Sequence, residues 1–445
     1  MNHFIAAAVM LSWSITVFAG IAHGEDSLNW RDCVLFTMAH NHDLQSSLEL
    51  IKQNKAAVGI ARSAYLPQIS ANLELSTTKQ ITPAHEKYTG VTSSRQLLTA
   101  AAQSTTTIAN SYSYGVSGKQ LLFDSMKTPY DIKSAECLVG DARYQHAVTS
   151  AQVRLNLRVA FVRLLKEQES IAIQKNIVKR WNKNLDLVAM RYKAGREHRG
   201  SLLNAEANLA QAKYALLQAE RGITVAQRNL LTVMGIPSYR PIHADGALAF
   251  REVNRNKPDI QDIVESHPMV MRIIKQRESS RYNEKSRIAS FMPVISATGS
   301  AGKSDTRWPP NRSDLFAGVE FTVPLFQGGG EYYNLEKAQS QSRKLSADEK
   351  STRDQVVLSL EEKWNDWQNA IDMVDVQRRF LQAAEERAKI AEAEYAIGLS
   401  IFDNWIIIED QLAQVKQNYL DALANQLITE AYWIQAKGET LAYDE

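Results

Sequence analysis

Cysteine is almost missing from this chain: only Cys33 and Cys137 occur, far apart and without metal-like spacing. In an exported protein the two could pair, or each could stay a buried free thiol. A charge excess is missing too. Lys and Arg number 51 against 49 Asp and Glu, a net charge of +2, so nothing points to nucleic acid or an acidic polymer as partner. Proline and glycine are sparse, at 11 and 20 in 445 residues, which suits long solvated helices and not disorder. The nine histidines are scattered, and His40 and His42, at i and i+2, point to different helix faces. No Ser-His-acid set, metal-ligand pattern or phosphate-binding loop is present, so no enzyme, cofactor or metal is expected.

Long apolar runs are absent as well, except at the start. Residues Met1 to Gly24 read as a secretory signal: Phe4 to Ala22 is broken only by Ser12, Ser14, Thr16 and Gly20, and Ala22-His23-Gly24 offers small residues for cleavage. A retained N-terminal membrane helix is the alternative. No cysteine follows directly, so a lipid anchor is not expected. Nothing later approaches 20 apolar residues, so the mature chain has no spanning helix.

What is present is built twice. Val153, Leu157, Ala160, Leu164, Glu167, Ile171, Gln174, Val178, Trp181, Leu185, Val188 and Tyr192 alternate in spacings of four and three, all but Glu167 and Gln174 apolar or aromatic. Such a seam predicts a helix packed along another helix. Shifted 203 residues downstream, Val153 to Tyr192 becomes Val356 to Tyr395, with the same seam interrupted only by Lys363 and Gln377. At the same offset Leu122-Phe123 falls on Leu325-Phe326, Gly195 on Gly398 and Glu206 on Glu409. One constant offset predicts a tandem duplication. Repeat 1 is set at 25–236, an inter-repeat link at 237–258, repeat 2 at 259–438 and a tail at 439–445.

Each repeat reads as helix, hairpin, long helix, return helix. The first helix spans Leu28 to about Tyr65 and ends before Pro67; its counterpart covers about Asp259 to Ser290. Period-two alternation then marks strands, with hairpins at about 67–122 and 293–325 joined in the first by a polar loop from Thr82 to about Thr106. Their apolar faces carry Ile69, Ala71, Leu73, Leu75, Tyr112, Tyr114 and Val116 in the first hairpin. The second carries Ile295, Ala297, Leu315, Ala317, Val319, Phe321 and Val323. Strands of this length cross a bilayer when tilted, so these residues are expected to face lipid. Four strands cannot close a barrel, and lipid tolerates no open edge, so several chains must pool them. The long helices, about 125–194 and 331–396, are nearly free of proline and would reach about 100 Å. They end at Gly195 and Gly398, and return helices follow at about 201–234 and 402–437.

Paired Pro-then-strand hairpins, Leu-Phe leading into a rod, Tyr-x-x-Gly turns and the doubling together resemble the TolC-type outer-membrane efflux proteins, over essentially all of Asp26 to Gly438. The resemblance implies a mainly α fold with a β-hairpin pair, assembled as a homotrimeric α-barrel/β-barrel channel. Each chain would give four strands to a shared twelve-stranded barrel, with a coiled-coil periplasmic tube below. It implies the outer membrane of a Gram-negative bacterium, extending into the periplasm. It also implies a passive exit duct of a tripartite efflux or type I secretion system, served by a periplasmic adaptor (membrane-fusion) protein and an inner-membrane RND, ABC or MFS transporter. A soluble periplasmic coiled-coil scaffold or adaptor is the competing reading.

The resemblance further implies a gate at the glycine turns, around Gly195, Arg196, Glu197, His198, Arg199, Ser201 and Asn204 in the first repeat and Gly398, Ser400, Asp403, Asn404 and Ile407 in the second. Positions six and nine past the turn glycine often carry acids in the second repeat of the family. Here they hold Asn404 and Ile407, with Asp403 displaced by one. Asp403 either serves an acidic entrance after a local register shift or caps the helix start. Arg196 to Arg199 are either adaptor contacts or ordinary solvated turn residues.

Overall fold

The computed structural model describes residues 26–82, 105–249 and 255–442. The expected signal segment, most of the expected loop over 82–106 and the last three residues of the tail lie outside them. In chain order the elements are β1 (Asp26–Leu28), α1 (Trp30–His40), α2 (His42–Ser63), β2 (Gln68–Thr82), β3 (Thr105–Phe123), α3 (Lys127–Lys193) and α4 (Arg199–Val233). Then follow β4 (Ile242–Ala244), α5 (Ile260–Ser266), α6 (Pro268–Ala289), β5 (Val294–Asp305), β6 (Arg312–Thr322), α7 (Gly330–Ile397) and α8 (Phe402–Ala436). The chain is mainly helical. α3 and α7 have 67 and 68 residues, and α4 and α8 have 35 each.

Contacts divide the chain into two compact units, and these are not its two halves. Among the described residues, one comprises 26–51, 142–249, 255–272 and 349–442; the other comprises 52–82, 105–141 and 273–348. Each unit therefore draws on both halves of the sequence.

In the first unit the seam positions are the core. Leu157, Leu164, Val188, Leu360, Val374, Ala388 and Tyr395 have no exposed surface. Around Leu157 and Leu164 gather Leu28, Cys33, Leu44, Leu230, Leu231, Met234, Ile242 and Ala244. Deleting a buried leucine here would cost about 2–5 kcal/mol. Both cysteines are free, and burial pushes the Cys33 thiol up to about 12.

Two details depart from the sequence expectation. The helix expected from Leu28 to Tyr65 is split at Asn41, whose amide donates to Val233 O at 2.8 Å while its carbonyl accepts from the N–H groups of Asp43 and Leu44, both at 3.0 Å. One side chain thus ties the end of α1 to α4 and starts α2. The helix expected over 259–290 is likewise split, at His267-Pro268. Proline suits the first position of a new helix, and buried His267 caps it by accepting from Met269 N at 3.2 Å while Nε2 donates to Ala436 O at 3.1 Å.

β1 was not expected as a strand. It pairs in parallel with β4, Asp26 to Ile242 through Leu28 to Ala244. Gln168 of α3 caps that small sheet, accepting from Ala244 N at 2.9 Å and donating to Ala244 O at 3.1 Å.

In the second unit one sheet holds four strands in the order β2-β3-β5-β6, every pairing antiparallel. The central pairing, β3 with β5, joins strands from the two halves of the sequence. A register shift at Leu121/Phe123 lets the end of β3 twist away. Ser125 then donates from Oγ to Pro293 O at 2.9 Å, tying the exit of β3 to the entry of β5.

Candidate functional site: a two-faced sheet and a pair of helical turns

The sheet's register sorts its side chains by face. Ile69, Ala71, Leu73 and Leu75 stand opposite Gly118, Val116, Tyr114 and Tyr112. Val116 stands opposite Ala301, and Ala297 opposite Gln120. Ile295, Ala297, Gly299 and Ala301 stand opposite Phe321, Val319, Ala317 and Leu315. Residues directly opposite share a face, so one face gathers the expected apolar strand residues of both hairpins; Val323 lies just past the end of β6. That face is uncovered, with Ile69 74%, Leu315 86% and Val319 70% exposed. The opposite face carries Ser70, Asn72, Glu74, Ser113, Ser117, Lys119, Thr298, Ser300 and Glu320. On it Ser70 bonds Ser117 at 2.9 Å, and Lys119 pairs with Glu320 at 3.3 Å. β2 and β6 end the sheet with one unpaired side each.

The helical turns belong to the other unit. α3 ends at Gly195, φ +67°, and α7 at Gly398, φ +84°, where a side chain would be strained. Both close with the same pair of bonds: Arg196 N to Arg191 O with Gly195 N to Tyr192 O, and Leu399 N to Glu394 O with Gly398 N to Tyr395 O. His198 caps α4, its ring nitrogen accepting from Ser201 N at 3.2 Å. Ile401 occupies the corresponding place before α8 and makes no side-chain cap. Asp403, expected as a possible cap, lies inside α8 and is exposed, because α8 begins at Phe402, where the sequence sets it, and the capping position falls to Ile401.

The two turns are not equivalent despite sharing Tyr-x-x-Gly. Tyr192 is exposed, whereas Tyr395 is fully buried and stacks on Trp405 at 4.3 Å between ring centres. The Tyr395 hydroxyl donates to Glu197 Oε2 at 3.0 Å, and the other oxygen of Glu197 accepts from Ser201 Oγ at 2.9 Å. Arg191 donates to Tyr395 O at 2.6 Å and lies over its ring at 4.6 Å. Burial, the largest influence on Glu197, opposes its ionisation. Hydrogen bonds from Ser201, Tyr395 and the His198 N–H outweigh it and hold the carboxyl below the usual range. Burial and then the Glu197 carboxylate push the Tyr395 phenol well above its ordinary value.

A second crosslink lies further along the same helices. Arg180 of α3 grips Glu409 of α8 with both Nε and Nη2, the latter at 2.7 Å from Oε1, and reaches Glu392 of α7 at 3.5 Å. Lys183 joins Glu392 at 2.6 Å. The Glu409 side chain is 1% exposed. Sequence reasoning passed over Arg180, Lys183, Arg191 and Glu392, because none occupies the apolar seam that the heptad reveals. Of the remaining expected turn residues, Ser201 is buried with the network. Arg196, Arg199, Asn204, Asn404 and Ile407 are exposed, and Ser400 is half-buried. Trp405 and Ile406 are buried in the same cluster.

Among the described residues no cluster of histidine, cysteine and acidic side chains could hold a metal, and no helix is long and apolar enough to cross a membrane.

Comparison with known proteins fits this geometry. The outer membrane efflux protein BepC of Brucella suis is 22% identical over 432 residues, covering 95% of this chain and 88% of BepC. The structure matches the open-state MtrE outer membrane channel of Neisseria gonorrhoeae with a TM-score of 0.75 at 16% identity, over 92% of this chain and 89% of that one. It matches a membrane protein from Pseudomonas aeruginosa with a TM-score of 0.76 at 17% identity, over 92% and 90%. The model of the outer membrane efflux protein family matches residues 37–236 and 260–439, and this chain belongs to that family.

Proposed function

We propose that three copies of this outer-membrane channel component pool their strands, four each, into one closed barrel that carries cargo out of an efflux or type I secretion system. One observation carries the reading: a four-stranded sheet whose predominantly apolar face is exposed and whose two edges are unpaired. In water that face would be an association hazard. In lipid it is the wall, and its edges need partners of the same kind, since hydrocarbon offers no hydrogen bonds. The polar face then lines the duct. The repeated order of hairpin, long helix and return helix supports a tandem duplication, with helices of the three copies continuing the duct as a periplasmic sleeve. A soluble scaffold would leave the apolar face unexplained.

The turns supply the gate. Glu197, Tyr395 and Arg191 hold the two turns of one subunit together, and Trp405 and Ile406 fill the space between them. Arg196 and Arg199, exposed beside Gly195, are the surface offered to a periplasmic adaptor, which in turn meets an RND, ABC or MFS transporter. Asp403 is the exposed acid at the start of α8, so a modest preference for cations is expected. The protein is a passive conduit and not an enzyme. Purified protein in planar bilayers tests this: stepwise conductance from detergent-stable trimers is expected. A water-soluble monomer that never conducts would overturn it.

A further inference from the structure

Phe316 places an aromatic ring among small hydroxyl side chains on the polar face of the sheet. Across all four strands Ser70 stands opposite Ser117, Ser117 opposite Ser300, and Ser300 opposite Phe316. Three serines and a phenylalanine therefore form one row on the polar face. Phe316 is 59% exposed. Together with Gln68, Lys119, Thr298 and the serines it borders an open recess of about 390 Å³.

The ring does not stand up from the sheet. A Cβ built on Gly318, the next residue on that face, would lie 2.9 Å from Phe316 Cζ. The ring is thus folded back over a position kept free of any side chain. Lys119 is held by Glu320 at 3.3 Å, so the charges bordering the recess offset each other.

We propose that Phe316 is a specificity-determining residue of the duct, presenting a flat apolar surface to planar amphipathic solutes. A solute with an aromatic plane stacks on the ring while the surrounding serine and threonine hydroxyls meet its polar atoms. Gly318 lets the ring lie flat, so water and small ions still pass. This rests on the polar face lining the pore. In a shared barrel each subunit adds one such ring at the same height.

The test is single-channel recording with 2-naphthalenesulfonate, which is planar, and camphorsulfonate, which is compact but not planar. The wild-type pore is expected to be blocked more strongly by the planar anion. Phe316→Ala and Phe316→Leu both weaken that block by about two- to tenfold, the size of one aromatic pairing, and leave the camphorsulfonate block unchanged. Phe316→Leu keeps the apolar bulk and guards against a variant that fails to insert. Gly318→Ala lifts the ring and lowers the unblocked conductance. A conducting wild type whose planar block survives both Phe316 variants overturns this assignment alone. A wild type that never conducts overturns the pore reading and this assignment together.

Discussion

Replacing Arg180 with methionine strands a carboxylate that the helices have taken out of water. The Glu409 side chain is 1% exposed, and Arg180 contacts both of its oxygens. Breaking a buried pair by removing one partner costs about 3–5 kcal/mol. The Arg180 side chain is 34% exposed, so the lower figure applies. About 3 kcal/mol corresponds to a rise of roughly a hundredfold in local opening of the turn. Hydrogen exchange of the amides of 402–412 in detergent-extracted protein reads this directly. Glu409→Gln should cost less, about 1 kcal/mol, because the guanidinium it abandons can reach solvent. The double variant Arg180→Met with Glu409→Leu should recover most of the loss, since an apolar pair replaces a charged one.

Equal damage from Glu409→Gln, or no rescue in the double variant, would each refute the reasoning.

Other perturbations follow from the same geometry. Tyr395→Phe and Glu197→Gln should each raise the leak of the closed channel in bilayers, with the double variant no leakier than the worse single. Because the Glu197 carboxyl is held below its ordinary range, its contribution is complete above the unfolded value. It is lost only as pH falls through the folded one, so wild-type leak should stay flat down through the ordinary glutamate range and rise only at more acid pH. On the sheet, Leu73→Lys or Val319→Lys should cost about 2–4 kcal/mol in lipid and abolish heat-resistant trimers on gels, whereas Ser117→Lys on the other face should assemble. Gly398→Ala should cost about 1–2 kcal/mol from its left-handed backbone alone. The nearest atoms, on Arg191, are 3.8 Å from the added Cβ and so do not clash; a melting curve checks it.

The features legible in the sequence are those written in a short period. Alternation from Ile69 to Leu75 and from Leu315 to Phe321 assigned faces that the register then drew together, and spacings of four and three marked the seam that ends in Tyr395. What escaped was the pairing of distant elements. Nothing local ties Asp26 to Ile242, or β3 to β5. Asn41 and His267 interrupt helices through partners at Val233 and Ala436, which no window of sequence contains. Tyr192 and Tyr395 look alike in sequence and differ in burial because only the second meets Trp405 and Glu197. Phe316 sat in plain view as one beat of an alternation, its oddity visible only once the facing residues were all serines.

The joint between β3 and β5 sets a timetable for making the molecule. Ser125 and Pro293, which clasp that joint, are 168 residues apart along the chain. The first hairpin is finished early, yet one flank stays open until the second hairpin arrives. Pairing over so long a stretch is slow, and an apolar strand left waiting invites the wrong neighbour. A nascent subunit must therefore cross its aqueous compartment with a sticky ribbon shielded by something else. Starving the cell of whatever escorts unfolded outer-membrane proteins should harm this protein sooner than a barrel built only from consecutive hairpins.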